Sequence, residues 1–351
     1  MKGKEQIMVK GKVSCIIASY NTDSEYLIVA VKSILNQSYK KIELIVVDDG
    51  SEIPVSSILD GIEDERLKVI TNVINMGVTK SRNRALSLIE GEYMAVMDAD
   101  DISDVTRFEK QVRYLEENHE IDLVSTQMAF ISNDRRQNPK IRIPKEPEEY
   151  LSWLFWDNSR PFPHGPAMIR VSFLEKYKIQ YDEKYKKALD YRLWVDCARH
   201  KGKFHILDEY LYYYRIHEGQ MSQSGRTGQM YYADQICLDQ LEYLHIEPTQ
   251  EEEKIHLLLR DSDSYQDGRE MLEWKEKLIQ ANYKYQYCNP KIFEKEVNYR
   301  FFKMAYKEYL CKGSKMYKSI FIRSCTLYNI CRSIKARIQY RFRKRPGYLK
   351  V

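Results

Sequence analysis

Gly91-Glu92-Tyr93-Met94-Ala95-Val96-Met97-Asp98-Ala99-Asp100-Asp101 is the stretch that decides the fold. Its apolar run, Tyr93–Met97, reads as a buried strand that ends abruptly on carboxylates. Working outward, Val13–Ile17, Ile42–Val47, Leu67–Thr71 and Asp122–Ser125 have the same short apolar character. Between them, Tyr26–Asn36, Lys80–Ile89 and Val105–Asn118 carry apolar residues at helical spacing. Strands that alternate with helices predict βαβ units and an α/β fold with a mostly parallel central sheet. Such sheets bind ligands beyond the C-terminal ends of their strands. Three of those ends carry unusual residues: Ala18-Ser19-Tyr20-Asn21, Asp48-Asp49-Gly50-Ser51 and Asp98-Ala99-Asp100-Asp101.

Two carboxylates one residue apart at a strand end can both face a pocket. Mg²⁺ or Mn²⁺ accepts such hard oxygen ligands and completes its shell with waters and a diphosphate. The competing reading is an acidic turn capping a helix that starts near Asp104. In Asp48-Asp49-Gly50-Ser51 a carboxylate could accept from a nucleobase N–H, with Gly50 admitting close backbone; taken alone, the Asp-Gly pair favours a plain turn.

Composition sets the frame. At 351 residues, with 43% hydrophobic and 30% charged residues, the chain has a globular balance. Met1–Lys12 is polar and basic, without the apolar core of a secretory signal, and no stretch approaches the ~20 apolar residues of a membrane span. The seven cysteines share no C-x-x-C spacing, so a reduced, cytoplasmic compartment is expected, with Cys15 a small core residue. The net charge of +5 is unevenly spread: twelve Lys and Arg and no acid follow Glu308. From Met316 to Arg345 the basic residues interleave with Ile320, Phe321, Leu327, Tyr328, Ile330, Ile334, Ile338 and Phe342. This pattern suits a helix lying peripherally on an anionic membrane, or equally one packed on the domain. Nucleic acid is not expected, because no recognition motif accompanies the charge.

The order of motifs resembles the family-2 glycosyltransferases. The resemblance rests on Ala18-Ser19-Tyr20-Asn21, Val46-Val47-Asp48-Asp49-Gly50-Ser51, Asn75-Met76-Gly77-Val78 with Ser81-Arg82-Asn83, and the run Gly91–Asp101. It continues in His164-Gly165, Leu189-Asp190-Tyr191-Arg192-Leu193-Trp194 and Tyr214-Arg215-Ile216-His217, and so covers about residues 12–222. It implies a GT-A, Rossmann-like nucleotide-diphospho-sugar transferase domain and an inverting transfer of one sugar from a nucleotide-diphosphate donor. A uridine diphosphate sugar is the donor the resemblance favours, and surface polysaccharide or glycolipid synthesis the setting.

Carried over by position, Ala18, Tyr20 and Asp49 flank the nucleobase, with Asp49 accepting its imide N–H. Lys80 and Arg82 are candidates for donor contact. Asp98 lies near ribose and metal, and Asp100 is the principal ligand of Mg²⁺ or Mn²⁺. His217 is a further metal or diphosphate contact, or else a surface histidine. Asp190 is the base that takes the acceptor's proton, against the alternative of a helix cap. The acid that usually precedes it is Leu189 here. The expected divisions are an N-terminal extension at 1–12, a nucleotide-sugar half at 13–126, an acceptor half at 127–224, and a C-terminal helical region at 225–351. Two other readings stay open: a nucleotidyltransferase, for which Ser19-Tyr20-Asn21 offers no phosphate loop, and a non-catalytic sugar- or partner-binding relative.

Overall fold

The computed structural model describes residues 8–132, 135–144, 146–156, 162–217, 226–261, 268–311, 318, 321–322, 326 and 328–334. They form two compact units: residues 1–147 with 159–232, and residues 148–158 with 233–351.

The first unit is built on one mixed sheet. Its strands are β1 (Val9–Ser19), β2 (Ile42–Asp48), β3 (Leu67–Thr71), β4 (Gly91–Val96), β5 (Ile102–Ser103), β6 (Leu123–Ser132), β7 (Arg135–Gln137), β8 (Met168–Arg170) and β9 (Phe204–Arg215). Their spatial order is β3-β2-β1-β4-β8-β6-β9-β5, with β7 paired to β6. The half β3-β2-β1-β4 is wholly parallel, in register Val13↔Ile42 and Val13↔Tyr93. β8 runs antiparallel to both β4 and β6, and β6 pairs with β9 in parallel. The chain moves outward from β1 to β2 and β3, then returns to β4 on the other side of β1. That reversal opens a crevice at the C-terminal ends of β1 and β4.

The sequence explains the parallel half directly. Every residue of β2, Ile-Glu-Leu-Ile-Val-Val-Asp, is buried, as a strand covered on both faces requires. Glu43 is tolerated there because Lys68 at 2.8 Å and Ser14 Oγ at 2.5 Å meet its carboxylate. Helix α1 (Ser24–Leu35) starts where the Asp23 carboxylate accepts from the N–H groups of Glu25 and Tyr26. Helices α2 (Val55–Ile58), α3 (Val78–Leu86), α4 (Arg107–Glu117), α6 (Val171–Tyr177) and α7 (Leu189–Arg199) complete this unit.

Several elements differ from expectation. β6 runs on to Ser132, beyond the expected Ser125, and β9 is one continuous strand from Phe204 to Arg215. Their pairing shifts register around Gln127, which absorbs the polar Asp208-Glu209 break inside a continuous strand. β1 begins at Val9, inside the segment expected to be an extension.

The second unit contains α5 (Pro147–Leu154, from Glu148), the second half of α8 (Arg226–Asp239), α9 (Gln250–Asp261), α10 (Gly268–Tyr285) and α11 (Pro290–Ala305). Its core gathers Phe155, Trp156, His256, Trp274 and Phe293. The His256 ring stacks on Trp156 at 4.7 Å, and burial pulls its pKa down to about 3, so it is neutral. The boundary expected at 224/225 is therefore not where the units divide. Of the basic segment 316–345, only residues 318, 321–322, 326 and 328–334 are described; the rest of that expected helix lies outside the described residues.

Candidate active site

The loops after β1 and β2 form one wall of the crevice. Asp49 N–H donates to the Ser19 carbonyl at 2.8 Å, and Asn21 N–H donates to Ser51 Oγ at 3.0 Å. Ala18 lies at the end of β1, and Tyr20 just beyond it is half exposed, with its ring free to meet a planar ligand. Asp48 closes the turn, accepting from Ser51 N–H at 2.9 Å and Val55 N–H at 3.0 Å.

Asp49 is 2% exposed, and its carboxylate accepts from Asn72 Nδ2 at 2.7 Å, Met76 N–H at 2.9 Å and Gly77 N–H at 2.8 Å. Its first duty is thus to seat the 72–77 loop that leads into α3; its Oδ2, with one of these donors, retains acceptor capacity. Gly50 has φ +75°, and a Cβ there would come within 2.8 Å of the Ile74 carbonyl carbon. The backbone that approaches Gly50 is therefore the protein's own loop.

The run Ser81-Arg82-Asn83 joins three segments from one turn of α3. Ser81 Oγ accepts from Asn72 Nδ2 at 2.8 Å. Asn83 exchanges two hydrogen bonds with the backbone of Tyr181, at 2.8 and 2.9 Å. Between them Arg82 reaches into the crevice and pairs with Asp98 Oδ1 at 2.7 Å, its guanidinium 5.6 Å from the Tyr181 ring centre. Lys80 is half exposed, with Glu183 4.0 Å from its ammonium.

Asp98 lies two residues beyond the end of β4. Its backbone N–H donates to the Tyr212 hydroxyl at 3.2 Å. Burial raises its carboxyl pKa, as do Asp100 and Asp190, against the opposing charge of Arg82. Gly165 permits this crowding: a Cβ there would lie 2.3 Å from the Tyr212 hydroxyl and 3.0 Å from Asp98 Oδ2. Behind it, fully buried Arg107 donates to the carbonyls of Val96 and Gly165 at 3.3 and 3.1 Å.

Asp100 Oδ2 lies 2.8 Å from His217 Nε2, each side chain about one quarter exposed. The strand end of β9 fixes this pair. Arg215 Nε donates to the Asp100 carbonyl at 2.8 Å, and Arg215 N–H donates to buried Asp101 Oδ1 at 2.8 Å. The Arg215 guanidinium rests 4.2 Å from the Tyr26 ring centre, and that ring is 5.4 Å from His217. No group of three metal-binding side chains occurs among the described residues. One carboxylate and one imidazole at hydrogen-bonding distance nevertheless fit a divalent ion that takes its other ligands from a diphosphate and water. Asp98 is held by Arg82 instead.

Asp190 occupies the first turn of α7, where Ala188, at φ 53°, is the capping residue. It is therefore not the helix cap. Burial raises its carboxyl pKa, opposed by the Tyr191 N–H and the charge of Arg82. It adds to the field at Asp98, so the two acids share the Arg82 cation. Nearby, His164 Nε2 lies 3.0 Å from the Tyr181 hydroxyl, and burial keeps the imidazole neutral.

Arg82, Asp98 and Asp190 thus converge, with Asp100 and His217 adjoining through the Asp98–Asp100 turn, while Ala18, Tyr20 and Asp49 line the β1–β2 side. The sequence motifs assign no role to Arg107, Tyr181, Tyr212 and Arg215. Arg215 stood in the Tyr214–His217 run, and Tyr212 alternates with Tyr214 along a strand; Arg107 left no signal.

The model of glycosyl transferase family 2 matches residues 14–178. An uncharacterized glycosyltransferase of Methanocaldococcus jannaschii is 35% identical over 216 residues, which are 60% of this chain and 72% of that protein. The chain belongs to glycosyl transferase family 2. As a family 2 glycosyltransferase it is a nucleotide-sugar-dependent transferase with a GT-A fold, and the nucleotidyltransferase reading falls away. An Escherichia coli relative, named as a UDP-Glc:α-D-GlcNAc-diphosphoundecaprenol β-1,3-glucosyltransferase, is 29% identical over 218 residues, 60% of this chain and 79% of its own. Among solved structures, Staphylococcus aureus TarS residues 1–349 in complex with UDP-GlcNAc superposes with a TM-score of 0.57 at 20% identity. That match covers 88% of this chain and 90% of TarS 1–349, a likeness of fold.

Proposed function

We propose that this family 2 glycosyltransferase moves one sugar, with inversion, from a uridine diphosphate sugar to a hydroxyl of a saccharide or lipid-linked saccharide. The observation that carries the reading is the meeting of Arg82, Asp98 and Asp190 at the crevice beyond β4. The donor nucleotide follows the UDP-Glc in the Escherichia coli relative's name and the UDP-GlcNAc in complex with TarS, a protein of like fold; the lipid-linked acceptor follows the diphosphoundecaprenol in that relative's name. Such an acceptor would place the work at the cytoplasmic face of a membrane.

Tyr20 covers the nucleobase, with Ala18 beneath it, and Asp49 turns its remaining acceptor capacity to the imide N–H. Arg82 holds donor oxygens once it shares Asp98 with the ribose, and Lys80 supplies outer positive charge. Asp190 takes the acceptor hydroxyl proton while that oxygen bonds the anomeric carbon. The bond from that carbon to the diphosphate oxygen breaks, and its electron pair leaves with the diphosphate. Asp190's raised pKa makes it a stronger proton acceptor than an ordinary aspartate. Asp100 and His217 would hold Mg²⁺ or Mn²⁺; when bound, the ion neutralises charge growing on the leaving diphosphate.

The test is a screen of nucleotide sugars for Mn²⁺- or Mg²⁺-dependent hydrolysis by the full chain. Release of diphosphonucleoside from a uridine sugar, lost on adding chelator, is expected. Hydrolysis confined to guanosine or thymidine sugars would overturn the donor assignment, and metal-independent release would overturn the role given to Asp100 and His217.

A further inference from the structure

The turn at residues 328–334 is polar inward and apolar outward. Asn329 is buried, and Arg332 donates to Glu296 at 2.6 Å with its guanidinium 3.8 Å from the Tyr299 ring centre. With that side fastened to α11, helical geometry turns Ile330, Cys331 and Ile334 the other way, while Tyr328 stands at the border, its ring centre 6.0 Å from the Lys295 ammonium of α11. Tyr328 and Ile334 are 51% and 52% exposed, Ile330 is 37% exposed, and Cys331 is also exposed. Ile322, a little earlier, is 60% exposed.

Ordinary surface helices are arranged oppositely, with apolar residues inward. An outward apolar face held in place by an ion pair calls for a covering partner. In the sequence, Ile330, Ile334, Ile338 and Phe342 recur at intervals of four, and eight Lys and Arg with no acid follow Cys331. A second copy of this chain would bring two such basic segments together, which charge repulsion opposes. Nucleic acid would use the charge but leave the isoleucines in water. A bilayer interface rich in anionic headgroups satisfies both: the apolar side chains enter the acyl boundary, and the basic ones meet phosphate. No helix among the described residues is long and apolar enough to cross a membrane.

We propose that the face formed by Ile330, Cys331 and Ile334, bordered by Tyr328, docks the enzyme on an anionic bilayer. It goes beyond the proposed reaction and does not depend on it. The test is co-sedimentation of the full chain with phosphatidylcholine vesicles, with and without phosphatidylglycerol, at low and high salt. Wild type should sediment with the anionic vesicles and be released by salt. Ile330→Asp with Ile334→Asp should lower partitioning at least about tenfold, because two half-exposed isoleucines no longer enter the interface. Replacing Arg341, Arg343, Lys344 and Arg345 by Gln should weaken binding and reduce its salt dependence. Equal sedimentation of wild type and the isoleucine variant would overturn the proposal. So would wild-type binding to an RNA oligonucleotide but not to vesicles, or a dimer that the isoleucine variant dissociates. Because a packed face would not tolerate charge, Ile334→Ser provides a milder variant; a fall of many degrees in its melting temperature also overturns the docking role.

Discussion

Asp190 carries most of the chemistry proposed here, and its position also has a thermodynamic signature. Burial raises its pKa, so the folded state binds its proton more tightly than the unfolded chain does. Stability contributed by such a carboxyl is lost as pH rises from its unfolded value through its raised folded value. Asp190→Asn should therefore melt at or above the wild-type temperature at pH 7, with the difference shrinking as pH falls toward 4. The same variant should lose about 10²-fold or more in turnover while keeping donor affinity. A variant that melts well below wild type and retains turnover would make Asp190 a structural group. Asp190 itself was legible in the sequence because it stands before Tyr191 and Trp194 at a helix start. Asp49's occupation by three hydrogen bonds was not, since its donors, Asn72, Met76 and Gly77, come from a loop more than twenty residues away. His217 was ambiguous in the sequence for the same reason: only the folded chain brings it to Asp100.

At the scale of elements, the parallel half was readable because each strand is a short apolar run ending on a polar turn. The mixed half, where β8 is antiparallel to its neighbours and β6 pairs with β9 in parallel, was legible only in part. β8 is three residues long, and β9 carries Asp208-Glu209 in its middle, so neither has the pattern of an isolated strand. The junction between loops is testable at Gly50. An alanine there must hold φ near +75° and place Cβ within 2.8 Å of backbone carbon, so the 72–77 loop has to move. Gly50→Ala should destabilise by about 2 kcal/mol or more, visible in a denaturant titration, and weaken nucleotide binding as Asp49 loses its loop donors. Wild-type stability with wild-type nucleotide affinity would mean that the loop yields freely and has no part in the site.

For the whole molecule, periodicity announced helices after residue 225, but could not show that residues 148–158 join them. Phe155 and Trp156 are both core residues of the second unit, and nothing local distinguishes them from the proline-rich stretch around them. His256 gives that unit an acid-sensitive core. Its pKa falls from 6.5 to about 3 on burial, so the unfolded chain binds the proton more readily. Its contribution is fully present above pH 6.5 and is lost as pH falls toward 3, by roughly 2 kcal/mol at pH 5. His256→Phe should flatten the fall in thermal stability between pH 7 and pH 5. An unchanged pH profile would show that the imidazole is already protonated or solvated in the fold.

In the proposed reaction the crevice beyond β1 and β4 holds a nucleoside diphosphate, with Asp100 supporting a divalent ion. Calorimetric titration of uridine diphosphate into wild type and Asp100→Asn, with and without Mn²⁺, tests it most directly. Mn²⁺ should tighten wild-type binding at least about tenfold, the equivalent of roughly 1.4 kcal/mol. In Asp100→Asn that gain should disappear, while metal-free affinity and melting temperature stay near wild type. The same Mn²⁺-dependent gain in both proteins would place the ion, and with it the reacting diphosphate, somewhere else.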